Sequence, residues 1–205
     1  MTVILPQQTS GQIGMRGTAP DADPPVLYLL HGLSDDDTIW LRRTSIERYV
    51  SVMGLAVIMP QVHRSFYTDE ARGLRYWTFL TEELPELIGR FFRVSSQPTE
   101  TFVAGLSMGG YGAFKWALRE PDRFAAAASL SGALNIARDE NSDRWPQDPA
   151  FADRLFGNRS PAGSDDDVLS LVRHTGLTAA TCPQLYLCCG SDDALFADNV
   201  HFRDV

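Results

Sequence analysis

Short, unbroken apolar runs alternate along this chain with longer stretches whose apolar residues recur at helical spacing. Val26-Leu27-Tyr28-Leu29-Leu30 closes on His31-Gly32, Leu55-Ala56-Val57-Ile58-Met59 stops at Pro60, and Thr101-Phe102-Val103-Ala104 runs into Gly105. Runs of this length with no polar face suit strands covered on both sides, as in parallel sheets. Residues 125–130 and 184–189 extend the set, and residues 3–5 form a shorter strand ended by Pro6. Between them, residues 45–53, 77–92 and 109–119 read as helices. The second carries Leu80, Leu84, Leu87, Ile88 and Phe91 on one face, with a local kink predicted at Pro85. Strand, helix and strand in this order predict parallel pairing through right-handed crossovers. The expected architecture is α/β: a three-layer sandwich around a doubly wound, mostly parallel sheet. Residues 135–163 are polar, Asp-rich and punctuated by Pro, and read as a cap or insertion over the carboxyl edge of the sheet, within a single domain spanning 1–205.

Composition narrows the choice. A chain of 205 residues can bury roughly 70% of its unfolded surface, so it needs no metal or disulfide staple. With 44% hydrophobic and 21% charged residues it is globular in composition, and a net charge of −8 disfavours nucleic acid as a partner. No apolar run reaches the roughly 18 residues of a membrane span, and MTVILPQQTS has no basic start, so no signal peptide is expected. Cys188 and Cys189 are adjacent and cannot bridge each other; with Cys182 they read as reduced core thiols. The expectation is a soluble, cytoplasmic, acidic protein.

The chemistry concentrates in Gly105-Leu106-Ser107-Met108-Gly109-Gly110. A serine with glycines two before and two after it, between a buried strand and a small-residue helix, has the G-x-S-x-G spacing of a nucleophile elbow. The turn holds the serine in strained backbone geometry, and flanking side chains would collide with the neighbouring strand and helix. The alternative is a serine that only caps a helix. In the elbow reading, the Met108 amide and the Leu33 amide, after His31-Gly32, are the two donors to a developing oxyanion. His31 is expected to orient that turn through its ring nitrogens rather than act as the base. In this fold the acid follows a late strand, which leaves Asp192 and Asp193 in Gly190-Ser191-Asp192-Asp193, either of which could instead cap the next helix. A base belongs at least about 20 residues beyond the acid. Only 12 residues follow Asp193, and His201 falls inside the expected crossover helix. His63 follows a strand and either lines a pocket or is simply exposed, while His174 has no supporting context. The residues therefore supply a nucleophile and an acid but no evident base.

These motifs, with Leu30-His31-Gly32-Leu33-Ser34, Trp40-Leu41-Arg42-Arg43-Thr44, Phe66-Tyr67-Thr68-Asp69, Glu82-Glu83-Leu84-Pro85 and Ser131-Gly132-Ala133-Leu134, make the chain resemble the esterase D-type family of α/β-hydrolases. The tributyrin esterase branch is the nearest, with S-formylglutathione hydrolases, acetyl xylan and feruloyl esterases and, more remotely, mycolyltransferases as relatives. The resemblance implies Ser107 as nucleophile, Asp193 as triad acid, and the Leu33 and Met108 amides as oxyanion hole. It also implies a histidine in a Gly-x-His motif after one more strand, which this sequence lacks, and a further strand before Met1, so the fold is expected to be truncated at both ends. The implied activity is a serine carboxylesterase acting on short-chain acyl esters of neutral alcohols or sugars through an acyl-enzyme on Ser107, with no cofactor and no metal. Its partner would be a small-molecule ester, with a homo-oligomer compatible. Two alternatives stay open: a catalytically inactive hydrolase-fold protein that serves as a binding module, and an acyltransferase. Tyr67, Trp77 and Trp145 are either pocket walls or core. Asp35-Asp36-Asp37 either disfavours anionic substrates or is a solvated loop.

Overall fold

The computed structural model describes residues 1–9, 16–137, 149–174 and 176–205. Six strands form one sheet in the order β1-β3-β2-β4-β5-β6. They are β1 (Thr2–Ile4), β2 (Val26–Leu30), β3 (Ala56–Met59), β4 (Thr101–Leu106), β5 (Ala126–Leu130) and β6 (Gln184–Cys188). All neighbours are parallel except β1, which runs antiparallel to β3 at one edge. The expected mostly parallel, doubly wound sheet is what the chain forms. Strand order reverses between β2 and β4: the chain steps from β2 outward to β3, then crosses back to β4 on the other side. Ligands bind at such a switch point, outside the carboxyl ends of the strands. The register pairs Leu30 with Gly105 and Leu106 with Leu130, so β2, β4 and β5 deliver the segments after them to one edge.

The helices are α1 (Ile39–Arg43), α2 (Ile46–Ser51), α3 (Tyr76–Thr78), α4 (Leu84–Phe91), α5 (Met108–Arg119), α6 (Pro149–Phe156), α7 (Val168–His174) and α8 (Phe196–Asp204). The helix expected over 77–92 is interrupted where Pro85 acts. A π-helical turn, Phe79–Glu83, joins α3 to α4. Proline has no N–H to return to the carbonyl four residues back, so the ladder slips there. The freed Thr81 carbonyl accepts instead from Arg123 Nη1 at 2.9 Å. No helix among the described residues is long and apolar enough to cross a membrane.

Residues 138–148 of the expected cap lie outside the described residues. Of the remainder, α6 sends Phe151, Leu155 and Phe156 into the main core. The cysteines depart from expectation: Cys188 is exposed and Cys182 and Cys189 are only partly covered. The cause is positional. β6 is the outermost strand among the described residues, and it leaves Tyr186 exposed as well.

The core also takes in a lysine. Lys115, on α5, is fully buried, with Nζ donating to Asp166 Oδ1 at 2.5 Å and to the Tyr67 carbonyl at 2.8 Å. It also stands 4.4 Å from the centre of the Trp77 ring. Burial pulls the ammonium down to about 8 from 10.5, against the opposing pull of Asp166. The folded chain then holds fewer protons than the unfolded chain between those two values, so stability rises with pH across that window. Buried Tyr28, pushed up to about 12, and Tyr67 and Tyr111, also raised, work in the opposite direction only above their ordinary value of 10. Urea unfolding between about pH 8 and 9.5 is therefore expected to show stability rising with pH, by on the order of 1 kcal/mol. Lys115→Met should flatten that gain; an unchanged slope in the variant would assign it elsewhere.

Candidate active site

At the switch point the chain leaves β4 and enters α5 through Ser107, whose backbone stands at φ 56° and ψ −115°. This is a region that a residue with a side chain occupies only when its surroundings enforce it. The enforcement comes from the flanking glycines. A Cβ on Gly105 would lie 2.3 Å from the carbonyl carbon and oxygen of Gly109, and one on Gly109 would lie 2.4 Å from the Leu30 carbonyl oxygen. Strand, turn and helix thus touch backbone to backbone. Ser107 is pinned on both sides: its N–H donates to the Leu130 carbonyl at 2.9 Å, and its carbonyl accepts from Tyr111 and Ala133, both at 3.1 Å. The serine stands just before α5 yet makes no side-chain capping bond, which removes the reading of a mere helix cap. Its side chain is half-buried at the mouth of a 12-residue helix whose dipole favours negative charge there.

Two amides converge on this edge. Met108 contributes the first N–H of α5, and no hydrogen bond to another described residue takes it up. Leu33 follows β2, and its N–H is likewise free of such a bond. The turn before it is set by His31. The ring donates from Nδ1 to the Gly32 carbonyl at 2.8 Å, and Nε2 accepts from the Val62 amide at 3.2 Å. That pair of bonds fixes the neutral ring with its proton on Nδ1. Burial also keeps His31 below its ordinary value, outweighing the Gly32 carbonyl and the acidic run Asp35 to Asp37. Because a peptide is planar and trans, a Gly32 carbonyl held by His31 sends the Leu33 N–H the opposite way.

Asp193 lies after β6, at the same edge of the sheet. It is half-buried, and Oδ1 accepts from the Leu195 amide at 2.8 Å, so it shapes the entry to α8. Oδ2 has no hydrogen-bond partner among the described residues, and Asp192 is exposed. None of the four histidines is hydrogen-bonded to Ser107 or to Asp193. His31 is committed to its turn, His174 to Ser170, and His201 meets Arg173 Nη2 at 3.4 Å. His63 is exposed, packs edge-on to Tyr76 at 6.0 Å between ring centres, and lines a cavity of about 630 Å³ with Leu33, Ser34, Arg64, Tyr76 and Arg154.

Two of the three aromatic residues considered as pocket walls are placed. Tyr67 is fully buried and is core, because its ring fills the space over Gly112. Trp77 is half-buried beneath Lys115 and Arg119, each 4.4 Å from the ring centre. Trp145 lies outside the described residues. The buried Lys115–Asp166 pair went unread in the sequence. Its one signal was a lysine inside Ala113-Phe114-Lys115-Trp116-Ala117-Leu118, a helix apolar on every side.

A doubly wound, mostly parallel sheet with a glycine-flanked serine at its switch point defines an α/β-hydrolase fold. The chain belongs to the Esterase family, described as "Putative esterase", whose model matches residues 3–203. It is 34% identical over 180 residues to an acetyl esterase of Caldicellulosiruptor saccharolyticus, covering 84% of this chain and 67% of that protein. It is 34% identical over 126 residues to the diacylglycerol acyltransferase/mycolyltransferase Ag85A of Mycobacterium leprae, covering 56% of this chain but 38% of that one. Among solved structures it resembles FphF, a fluorophosphonate-binding serine hydrolase of Staphylococcus aureus, with a TM-score of 0.81 and 35% identity over 98% of this chain and 77% of that one. The chain thus spans about two thirds of the length of the acetyl esterase it matches and under two fifths of the mycolyltransferase. These similarities place it among the carboxylic ester hydrolases.

Proposed function

We propose that this chain acts on short-chain acyl esters through an acyl-enzyme on Ser107. The observation that carries the reading is the conformation of Ser107 itself, a non-glycine residue at φ 56° locked between two glycine contacts, at the edge where the Met108 and Leu33 amides make no hydrogen bond to another described residue. In the reaction, Oγ attacks the ester carbonyl, the C–O bond to the alcohol breaks, and the alcohol leaves with the proton that Oγ gives up. Water then cleaves the acyl-serine, returning the carboxylic acid and the free serine. The Leu33 and Met108 amides hold the oxyanion, each donor worth about 2.7–4 kcal/mol in sites of this kind. Asp193, with Oδ2 free, is the acid that would orient an imidazolium. The acetyl esterase relative supports small acyl groups, and the fluorophosphonate-binding neighbour supports a reactive serine. Residues 1–205 would form one domain with 135–163 as its cap, since α6 shares the main core. A cytoplasmic location is supported by three cysteines that stay unbridged.

One observation favours a second reading. With all four histidines committed elsewhere or exposed away from hydrogen-bond contact with Ser107, the chain as it stands could take an acyl group once and not turn over, or bind without reacting. Fluorophosphonate treatment followed by peptide mass spectrometry tests the main reading. The adduct is expected on Ser107, and a folded chain left unlabelled at that residue overturns the acyl-enzyme. A p-nitrophenyl acetate burst with no subsequent turnover would select the second reading.

A further inference from the structure

The groups that hold the Leu33 amide are not confined to β2 and α5. Tyr67, in the loop between β3 and α3, stands at φ 50°, next to Phe66 at the same value and close to His63, also at 50°. Bulky residues in the left-handed region persist only where the structure around them over-determines them, and such strain gathers at functional sites. Every polar group of Tyr67 is engaged. Its N–H donates to Ser65 Oγ at 3.1 Å, its carbonyl accepts from Lys115 Nζ at 2.8 Å, and its hydroxyl donates to the His31 carbonyl at 2.9 Å. Its ring lies flush on the helix, since a Cβ on Gly112 would fall 2.5 Å from Cδ2.

We propose that Tyr67 is a positioning residue for the acylation of Ser107: its hydroxyl fixes the His31 carbonyl, and through the next peptide the direction of the Leu33 N–H. The proposal rests on the reading of Ser107 and Leu33 given above. The two peptides in question are consecutive. Tyr67 holds the plane between His31 and Gly32, and His31 Nδ1 with the Asp35 amide, at 3.2 Å, holds the plane between Gly32 and Leu33. Gly32 has no side chain to restrain rotation between them. Lys115 and Asp166 keep the Tyr67 backbone seated on α5, so the helix that begins at the nucleophile also sets the height of the second donor. Removing the hydroxyl leaves the buried His31 carbonyl without that partner and lets the turn swing, and small displacements of an oxyanion donor are costly in rate.

The experiment uses the full chain and the concentration dependence of the p-nitrophenyl acetate burst, which separates the acylation rate from ester binding. In Tyr67→Phe the acylation rate is expected to fall roughly 10- to 100-fold, with ester affinity unchanged within about threefold. A loss seen only in ester affinity, or an acylation rate equal to wild type, overturns the proposal. If Tyr67→Phe does not fold, Lys115→Met keeps the hydroxyl but unties the Tyr67 carbonyl. There an acylation rate at least about threefold lower supports the strut, and a wild-type rate overturns it. If the wild type is neither acylated nor phosphonylated at Ser107, the acyl-enzyme reading itself has failed, and that outcome is distinct from a labelled wild type with an equally fast Tyr67→Phe.

Discussion

Replacing Ser107 with alanine is expected to abolish the p-nitrophenyl acetate burst, because the acyl group is carried on the Ser107 hydroxyl. The loss has a structural counterpart of opposite sign. At φ 56° and ψ −115° a serine is strained, and an alanine there keeps the strain, because both carry a Cβ. A glycine does not. Ser107→Gly is therefore expected to be as inactive as Ser107→Ala, yet more stable than wild type by about 1 kcal/mol. The pair separates the hydroxyl from the backbone that presents it. Thermal melts and burst amplitudes of the two variants, read side by side, check both halves. Equal stability in all three proteins would mean that the turn stores no strain, and a surviving burst in either variant would move the nucleophile elsewhere.

That this site could be read from sequence at all follows from what makes it local. The glycines at 105 and 109 answer contacts between backbones four residues apart in the chain or on the neighbouring strand, and such contacts leave a spacing pattern that survives translation into letters. The central strands were legible for a related reason. A parallel sheet covered on both faces demands an apolar run, and β2, β3 and β4 supply one each. What stayed hidden is what depends on distant partners. The hydroxyl of Tyr67 meets a carbonyl 36 residues away and Lys115 meets a carboxylate 51 residues away, so neither pairing imprints a spacing. Tyr67 looked equally suited to a pocket wall because an aromatic residue after a strand is apolar whichever way it turns. The cysteine of β6, Cys188, misled in the opposite direction: the run Leu185-Tyr186-Leu187 before it reads as a covered strand, although its outer side meets no other described strand. The slip at Pro85 was legible as a kink but not as a π-helical turn, since its form depends on Arg123 taking up the freed carbonyl.

Gly109→Ala is expected to produce the largest loss of stability of any single methyl added to this chain's helices. The new Cβ would lie 2.4 Å and 2.7 Å from the Leu30 carbonyl oxygen and carbon, and 2.8 Å from the His31 carbonyl oxygen. None of these atoms belongs to a side chain that could rotate away. Either the end of β2 or the start of α5 must move; β2 is held by ladders on both sides, and α5 follows within two residues of β4, which is held likewise. Strain of this kind costs at least about 3 kcal/mol, a large part of the roughly 5–15 kcal/mol that separates folded from unfolded chains of this size. Gly89, in the middle of α4, provides the control. A Cβ there meets nothing within 4 Å, and the same substitution should stabilise by about 0.5–1 kcal/mol through helix propensity alone. Urea unfolding of the two variants must then give shifts of opposite sign. A Gly109→Ala chain that still folds is expected to lose acylation as well, because any movement that relieves the clash carries Met108 or Leu33 away from the oxyanion. A variant that kept both its stability and its burst would show that the approach of α5 to β2 is looser than the contact at Gly109 requires, and the elbow would lose the physical reason for its glycine.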